Sequence, residues 1–330
     1  MNFSAFQTYR AAQLAADPKL VDLAETNLWR SLANLVPRLS ADAGPHVHRC
    51  HLAQAWLATF GLSDSWAGRA LVSAGVRHSL SLIFPILAQQ RVTLRMPEDV
   101  YPVYGQLART AGVDFQTFPT LLDLKLPSNG DWLLLSNPLK PAGRWLTTNE
   151  VTAIREWLAN DTGRRLLLDA VYTFDTCLHP TANTLLQTGQ TILLHSLPKG
   201  WLHPQVFGIA LVSESDIGRF NATFRDNPPS QINLFKATQL LADHGSCPNQ
   251  AANRLAARRA KLLTLLPEQV RSSIILRDDA EPVGYLITVH ASPRQLLEQY
   301  HLLGIPIAAF GSSRDDCSVL STLAIDGMNS

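Results

Sequence analysis

The segment Thr191-Ile-Leu-Leu-His-Ser-Leu-Pro-Lys199 is the most informative for the fold, because it is an apolar run that ends in a serine and a lysine. Two runs of the same kind precede it, Trp132-Leu-Leu-Leu-Ser-Asn137 and Leu166-Leu-Leu-Asp-Ala-Val-Tyr172. Helical segments separate such runs, and residues 147–159 begin with the pattern of a capping box. Apolar strands that alternate with helices predict an α/β fold, in which a mostly parallel sheet lies between layers of helices.

Length and composition exclude several classes of protein. The 330 residues are 46% hydrophobic and only 17% charged, which excludes a disordered chain. A net charge of +1 provides no field that would hold nucleic acid or an anionic membrane. The most apolar run, residues 80–88, is too short to span a membrane. The 4 cysteines lie far apart without a Cys-x-x-Cys pair, which predicts reduced thiols and a cytoplasmic location.

The chain is predicted to divide into three segments. Residues 1–44 are expected to be N-terminal helices that join a smaller domain or a dimer contact, and residues 45–235 are expected to form the large domain. Residues 236–330 are predicted to form the smaller α+β domain. Within and before this last part, we expect one long helix over 231–266 and a strand over 273–276.

Polar side chains follow the predicted strands at the points where the strands end. In an open parallel sheet, ligands bind in the crevice beyond the carboxyl ends of the strands. The residues at these ends are Asn137, Asp169, Tyr172, Ser196 and Lys199. In addition, Ser73-Ala-Gly75 follows a short apolar run and opens a helix, which is an arrangement suited to binding phosphate.

These residue types match the functional groups of pyridoxal 5'-phosphate (PLP). A lysine amine can form an imine with its aldehyde. An aspartate beneath the pyridine ring keeps the ring nitrogen protonated, which makes the ring an electron sink. An asparagine amide and a tyrosine hydroxyl can both hydrogen-bond the phenolate oxygen. A glycine at a helix start, together with a serine, suits the phosphate ester.

The motifs of this chain resemble those of the fold-type I PLP enzymes, the aspartate aminotransferase superfamily (class I/II). Ser136-Asn-Pro-Leu-Lys-Pro-Ala-Gly143 resembles the family's S-N-P-x-N-P-T-G, and Leu168-Asp-Ala-Val-Tyr172 resembles its strand-end D-E-A-Y. His195-Ser-Leu-Pro-Lys199 resembles S-x-S-K. Pro97-Glu-Asp-Val-Tyr-Pro102 resembles P-x-Y-P, and residues 305–311 resemble the late G-V-x-V...F-G. The matches occur in the family order.

The resemblance implies a role for each of these residues. Lys199 would form the internal aldimine with PLP and then shuttle protons, and Asp169 would pair with the pyridine nitrogen. Asn137 and Tyr172 would contact the ring hydroxyl, and Tyr101 would stack on the ring. The phosphate would be contacted by Gly75, Val76 and Ser196.

Two positions depart from the family pattern. Phe207 stands where the family carries an arginine that binds the phosphate, and we hypothesise that Arg77, at the start of the helix after the glycine, supplies the missing charge. The alternative is that Arg77 is a surface residue of the first helical turn. Leu320 stands where the family places the arginine that grips the substrate α-carboxylate. Either Arg314 or Arg144 anchors that carboxylate, or the substrate has no free carboxylate at that point.

The resemblance implies a PLP-dependent transferase with aminotransferase chemistry, which acts on a small amino acid or amine and forms a homodimer. The alternative is a PLP-dependent decarboxylase, lyase or carbon–carbon bond-forming enzyme of the same fold, which the missing late arginine favours. A third hypothesis is a non-catalytic regulator or partner protein, against which the retained Lys199 argues. No metal site is expected, since the histidines of residues 46–51 have the spacing of neither a zinc finger nor a His-Glu-x-x-His helix.

Overall fold

The computed structural model describes residues 2–40, 44–100, 102–121, 124–204 and 207–325. The strands in these ranges are β1 (Val21–Asp22), β2 (Ala70–Ser73), β3 (Thr93–Pro97), β4 (Asp114–Phe118), β5 (Trp132–Ser136), β6 (Arg165–Asp169), β7 (Thr191–Ser196), β8 (Gly208–Leu211), β9 (Leu286–Val289), β10 (Leu302–Leu303), β11 (Ile305–Pro306) and β12 (Ser318–Ser321). The helices are α1 (Phe3–Ala16), α2 (Leu28–Ser31), α3 (Arg49–Thr59), α4 (Val76–Gln89), α5 (Val103–Ala111), α6 (Thr148–Ala159), α7 (Pro180–Leu186), α8 (Ile217–Asp226), α9 (Gln231–Asp243), α10 (Cys247–Leu265), α11 (Glu268–Arg271) and α12 (Pro293–Tyr300). Short 3-10 helices cover Ala33–Leu35, Asp64–Arg69 and Ile307–Phe310.

In the described part of the chain, a seven-stranded sheet has the order β2-β8-β7-β6-β5-β3-β4. Its neighbouring strands run parallel except for β8, which is antiparallel to both β2 and β7. The central strands β5, β6 and β7 are buried along their whole length. Along β5, Leu133 and Leu135 face one hydrophobic core and Leu134 faces the other. Side chains of a strand alternate between the two faces, so both faces of the sheet are covered and the predicted fold class is confirmed.

A second sheet, of three antiparallel strands, has the order β11-β12-β9. The N-terminal strand β1 pairs in parallel with β10, so the beginning of the chain joins the C-terminal part. Both ends of the chain contribute to one hydrophobic core, which includes Leu23, Leu262, Ile287, Leu296 and Leu320. These contacts agree with a smaller α+β domain that residues 1–44 would join, while the domain boundaries stay predictions.

The prediction of one long helix over 231–266 is wrong. Helix α9 ends at Asp243 and α10 begins at Cys247, with a turn between them. Pro248 lies in the first turn of α10 and explains the break, because proline has no backbone N–H and restricts the residue before it, so it is tolerated at a helix start. The strand predicted over 273–276 is also wrong, since Ile274 forms an isolated bridge with Val289.

Strands β1, β4 and β10 and helices α7 and α11 have no counterpart among the predicted elements, and the reason is clear for β4 and α7. Strand β4 lies at the edge of the large sheet and exposes most of its residues, so it lacks the apolar run by which the central strands were recognised. Helix α7 has only 7 residues and begins with Pro180, so its periodic pattern is short. Both are cases in which the tertiary context, rather than a local pattern, determines the conformation.

Two general expectations can be compared with the structure. All four cysteines are unpaired; Cys50 and Cys177 are exposed, and Cys247 and Cys317 are buried. No helix within the described ranges combines the length and the apolar character that crossing a membrane requires.

The loop that follows β5 is fixed to helix α6 by a buried ion pair. The guanidinium of Arg144 donates to both carboxylate oxygens of Glu150 at 2.7 Å, and both side chains are almost fully buried. Glu150 also accepts from the backbone N–H of Thr147 at 2.9 Å, and the Thr147 hydroxyl accepts from the Glu150 backbone N–H at 3.2 Å. This is the capping box that the sequence predicts, and it holds the segment that begins at Asn137.

We expect Glu150→Gln to lower the stability of the protein by about 3–5 kcal/mol, because it leaves the Arg144 guanidinium buried without its carboxylate. Burial opposes ionisation of Glu150, but hydrogen bonds from Arg144 and Thr147 outweigh it and lower the pKa of Glu150 below its usual 4.5. A lowered pKa means that the stabilisation is present above about pH 4.5 and is lost as the pH falls further. Denaturant unfolding at several pH values measures this.

The matched control for this experiment is Glu156→Gln, because Glu156 is exposed on the same helix. We expect it to leave the unfolding midpoint nearly unchanged. Equal midpoints for the two variants above pH 5 (about the range in which a carboxylate of ordinary pKa is ionised) would show that the buried pair does not hold this loop.

Candidate active site

The carboxyl ends of β5, β6 and β7 lie side by side, because the three strands are parallel neighbours. Ser136 pairs with Asp169 across β5 and β6, and Asp169 pairs with Leu194 across β6 and β7. The backbone N–H of Asn137 donates to the carbonyl oxygen of Asp169 at 2.9 Å. The structure therefore brings together the strand ends that the sequence singles out.

Asp169 is buried at the end of β6, with 3% of its surface exposed. One carboxylate oxygen accepts from the backbone N–H of Val171 at 2.9 Å, and the other forms a short hydrogen bond with the hydroxyl of Tyr104. Burial raises the pKa of Asp169 to about 6, although both hydrogen bonds and the charge of Lys140 oppose the rise. No lysine or arginine of the described residues forms an ion pair with this carboxylate, so it is a buried acceptor that a cationic N–H group would stabilise.

Lys199 lies in the turn after β7 and is half-buried. Its amine is 4.9 Å from the ring centroid of Trp29 and 5.3 Å from that of Tyr172, so it is placed between two aromatic rings. The Trp29 ring N–H donates to the carbonyl oxygen of Pro198 at 3.2 Å, which fixes the turn itself. The N-terminal segment therefore positions the lysine that follows the third strand end.

Two tyrosines and a second lysine line the crevice next to Lys199. The ring centroids of Tyr172 and Tyr285 are 6.2 Å apart. Burial and the charge of Asp169 raise the pKa of Tyr172 to about 12, although a hydrogen bond with Tyr285 opposes the rise, so the Tyr172 hydroxyl keeps its proton at neutral pH. The amine of Lys140 lies 2.6 Å from the ring centroid of Tyr172 and 4.6 Å from that of Tyr285.

Asn137 is fully buried, and the protein itself holds its amide group. The amide oxygen accepts from the backbone N–H of Leu146 at 3.1 Å, and the amide nitrogen donates to the hydroxyl of Thr181 at 2.9 Å. That hydroxyl is also hydrogen-bonded to His179 at 2.7 Å, and the His179 ring stacks on Trp145 with centroids 4.1 Å apart. Helix α7 thus orients the Asn137 side chain, whose contact with a ring hydroxyl stays a prediction.

A second part of the crevice is formed where β2 leads into helix α4. Gly75 precedes the helix with a φ of 128°, a conformation that favours glycine. A Cβ atom at this position would point into open space, and no side chain caps the N-terminus of α4. The first-turn N–H groups, including that of Val76, therefore border an opening, which is a geometry suited to an anion.

Ser196 and Arg77 lie close to this helix start. Gly208 pairs with both Ser73 and Ser196, and a Cβ atom on Gly208 would come within 2.5 Å of the Gly75 Cα atom. Arg77 is exposed on the first turn of α4, and its charge lowers the pKa of both Tyr104 and Tyr172 against the effect of burial. The structure thus groups the residues for which the sequence predicts phosphate contacts.

The two residues that depart from the family pattern lie in hydrophobic cores. Phe207 and Leu320 are both 0% exposed and belong to hydrophobic cores, so no cation could replace them without burial of a charge. Of the alternative anchors, Arg144 is held by the carboxylate of α6. Arg314 donates to both carboxylate oxygens of Asp316, at 2.9 Å and 2.6 Å. Both arginines therefore already have an acidic partner.

Sequence reasoning missed several residues of the crevice. Tyr104 contacts Asp169, and Trp29, Lys140 and Tyr285 surround Lys199 and Tyr172. Lys140 lies inside the motif of residues 136–143 and Tyr104 closely follows that of residues 97–102, so position was an available signal for both. No local signal marks Trp29 or Tyr285, which come from the two ends of the chain. Tyr101, predicted to stack on the ring, lies outside the described residues.

One group in the described ranges has the spacing of metal ligands. The ligand atoms of His290, Asp316 and Cys317 lie within 4.8 Å of one another. Arg314 already occupies both oxygens of Asp316, so a metal ion would have to displace that guanidinium. The group belongs to the smaller sheet and contains none of the residues of the crevice.

No protein-family model and no curated protein sequence matches the chain. Several solved structures, in contrast, have a similar fold. N-succinyldiaminopimelate aminotransferase from Mycobacterium tuberculosis is similar with a TM-score of 0.72 and 18% identity, over 96% of this chain and 94% of that chain. The aspartate aminotransferase from Rhizobium meliloti has a TM-score of 0.71 and 14% identity, over 98% of this chain and 92% of that chain. A protein assigned as a PLP-dependent β-cystathionase from Corynebacterium diphtheriae has a TM-score of 0.71 and 15% identity, over 94% of this chain and 92% of that chain.

The similarity extends over nearly the whole of each chain, so it includes the large sheet, the smaller sheet and the N-terminal segment. It agrees with the motifs at the ends of β5, β6 and β7. The chain therefore has the fold of these aminotransferase and PLP-dependent enzyme structures.

Proposed function

We propose that the protein is a PLP-dependent aminotransferase that acts on a small amino compound and that Lys199 is the amine that binds the aldehyde of PLP. The observation that carries the proposal is the grouping of Lys199, Asp169 and Tyr172 at the ends of neighbouring strands. The fold alone would not suffice, because one fold hosts many functions. The proposal also assigns each of these side chains a chemical task.

The crevice fits the ring of PLP. Asp169 is a buried carboxylate without a cationic partner in the described residues, and a protonated pyridine nitrogen would supply one. The Tyr172 hydroxyl keeps its proton at neutral pH, so it can donate to the ring oxygen. The residues present therefore match the donor and acceptor pattern of the ring.

The crevice also fits the phosphate of PLP. The start of α4 has no side-chain cap and borders an opening at Gly75, and Ser196 lies across Gly208 from it. A helix N-terminus provides backbone N–H groups and a partial positive charge, and Arg77 adds a full charge. These groups would hold the phosphate in place of the arginine that the family carries at the position of Phe207.

When bound, PLP supplies an electron sink that stabilises negative charge on the carbon next to the substrate amino group. Asp169 would keep the proton on the pyridine nitrogen, and this task explains why its carboxylate is buried among hydrogen-bond donors. The Lys199 amine would accept the proton from the substrate carbon and return it. Its place between Trp29 and Tyr172 limits the positions that this amine can adopt.

The other reaction classes raised by the sequence are decarboxylation, elimination and carbon–carbon bond formation. Apart from the apolar position of Leu320, no observation in the described residues favours them over transamination, and their products distinguish them in an experiment. The homodimer and the cytoplasmic location likewise stay predictions.

The proposal predicts that the purified protein binds PLP with an absorption band of lysine-bound cofactor and that Lys199→Ala abolishes the band. Lys19→Ala is a matched control, since Lys19 is exposed in a turn before β1. An absent band in the wild type, or the same loss in both variants, would contradict the proposal. Addition of an amino substrate should then give the aminated cofactor and a keto product. Release of carbon dioxide or ammonia would instead support the other reaction classes.

The environment of Asp169 predicts that Asp169→Asn weakens PLP binding but stabilises the cofactor-free protein. The pKa of Asp169 is about 6 in the folded protein, and its usual value is 3.8. Between these two pH values the carboxyl group is protonated in the folded state but ionised in the unfolded state. Stability therefore falls as the pH rises through this window, and the neutral amide should recover up to about 3 kcal/mol at neutral pH.

Denaturant unfolding of the cofactor-free variants between about pH 5 and pH 8 measures this effect, and equilibrium dialysis measures PLP affinity. The gain should shrink towards the acidic end, where the wild-type carboxyl is protonated in the folded state. Asp114→Asn serves as the control, because Asp114 is exposed at the start of β4. A destabilised Asp169→Asn at neutral pH would show that the carboxylate is not under strain.

We expect Arg77→Ala to weaken PLP binding about 10- to 100-fold, since a charge-assisted hydrogen bond contributes about 1.5–3 kcal/mol. Pyridoxal, which has no phosphate, should bind the variant and the wild type equally. The control is Arg155→Ala on the exposed side of α6. If the variant loses affinity for pyridoxal to the same extent as for PLP, Arg77 does not serve the phosphate.

A further inference from the structure

The crevice holds a second amine, that of Lys140, beside the one assigned to the cofactor. Both amines approach the same ring: the Lys140 nitrogen is 2.6 Å and the Lys199 nitrogen 5.3 Å from the ring centroid of Tyr172. Lys140 also lies 4.6 Å from the ring centroid of Tyr285. The family motif that residues 136–143 resemble has an asparagine at the position of Lys140, so the amine at this position is a feature of this chain.

The backbone around Lys140 is held in place from several directions. Its own N–H donates to the hydroxyl of Ser136 at 3.2 Å. Leu139 and Arg144 form a bridge across the loop, and the carbonyl oxygen of Pro141 accepts from the hydroxyl of Thr288 at 3.0 Å. The loop is thus fixed to β9 of the smaller sheet, and the Lys140 amine is directed at the tyrosines by a rigid support.

Among the described residues, no carboxylate forms an ion pair with the Lys140 amine, although the charge of Asp169 acts on it. Burial and the charge of Lys199 lower the pKa of Lys140 well below its usual range, and Asp169 opposes that change. The oxygens of Asp169 already accept from Tyr104 and from the backbone N–H of Val171. An anionic group that enters the crevice would therefore meet an amine whose charge it stabilises.

The other positions at which the sequence suggests a carboxylate anchor do not offer an unpaired cation. The position of Leu320 is apolar and 0% exposed. Arg144 and Arg314 are held by Glu150 and Asp316. In contrast, the Lys140 side chain is half-buried as a whole, and its amine faces the rings of Tyr172 and Tyr285.

We propose that Lys140 binds the carboxylate of an amino acid substrate and so makes the site prefer amino acids over the corresponding amines. The inference rests on the proposed function, because Lys199 must first bind PLP for the substrate amine to be placed. A lysine is a single point charge rather than the planar fork of an arginine, so it would attract the carboxylate without a bidentate fit. Lys140 would thus replace, from the other side of the crevice, the anchor that is missing at Leu320.

The test compares matched pairs of probes that differ only by the α-carboxylate: alanine with ethylamine, phenylalanine with 2-phenylethylamine, and lysine with cadaverine. The half-saturating concentration of each probe is read from the spectral change of the bound cofactor. For at least one pair, the wild-type protein should respond to the amino acid at a concentration at least tenfold lower. Lys140→Met should remove most of this preference by weakening the response to the amino acid, whereas Lys19→Met should keep it.

A second readout does not depend on the cofactor. In the Lys199→Ala background, acetate should bind the cofactor-free protein in a calorimetric titration, and the added change Lys140→Met should abolish the heat. This pair of variants removes the competing amine of Lys199, so the difference reports on Lys140. Circular dichroism of both variants shows whether the fold is kept.

The outcomes separate the inference from the function on which it rests. If the wild type shows no Lys199-dependent cofactor band, the proposed function fails and the inference falls with it. If the band is present but the wild type responds equally to both members of every pair, or Lys140→Met keeps the preference, the inference alone is overturned. It is also overturned if Lys140→Met changes only the pH dependence of the cofactor band without a probe, since Lys140 would then serve the ring oxygen.

Discussion

The carboxylate of Asp169 is the constraint on which the arrangement of the site depends. A carboxylate that is removed from water costs free energy unless hydrogen bonds or a cation compensate for it. The compensation here is incomplete: Tyr104 and the N–H of Val171 donate to it, Lys140 attracts it, and its pKa is still raised to about 6. A protonated pyridine ring would complete the compensation, because it would place a cationic N–H group beside the carboxylate.

The parallel register of the central strands explains why so much of the site can be predicted from the sequence. Three apolar runs followed by polar residues must end at the same edge of a parallel sheet, so the pattern of strands alone groups Asp169, Tyr172 and Lys199. The same logic places Ser196 and the start of α4 at one end of the crevice. The positions of these residues are determined by local elements, namely a strand, a turn or a helix start, and a local sequence pattern predicts such elements.

The residues that the sequence did not reveal are those that reach the crevice from a distance. Trp29 lies 169 positions before Pro198, whose carbonyl oxygen it binds. Tyr285 follows α11 and meets Tyr172 only because the smaller sheet packs against the loop after β5, where Thr288 binds the carbonyl oxygen of Pro141. Such contacts have no spacing rule. The break between α9 and α10 is the opposite case, because its cause, Pro248, stands in the local sequence, while the apolar periodicity alone favours one continuous helix.

The small net charge of the chain takes on a different meaning once the cations of the crevice are located. The arginine positions of the family are occupied by Phe207 and Leu320 inside hydrophobic cores, where a guanidinium would need a buried partner. The two cations to which we assign binding roles lie elsewhere, Arg77 on the first turn of α4 and Lys140 beside the ring that Lys199 also approaches. A cation on a loop or a first helical turn can be moved without repacking a core. The fold therefore keeps its cores apolar, while the charges that we propose to meet the ligand lie on segments that tolerate change.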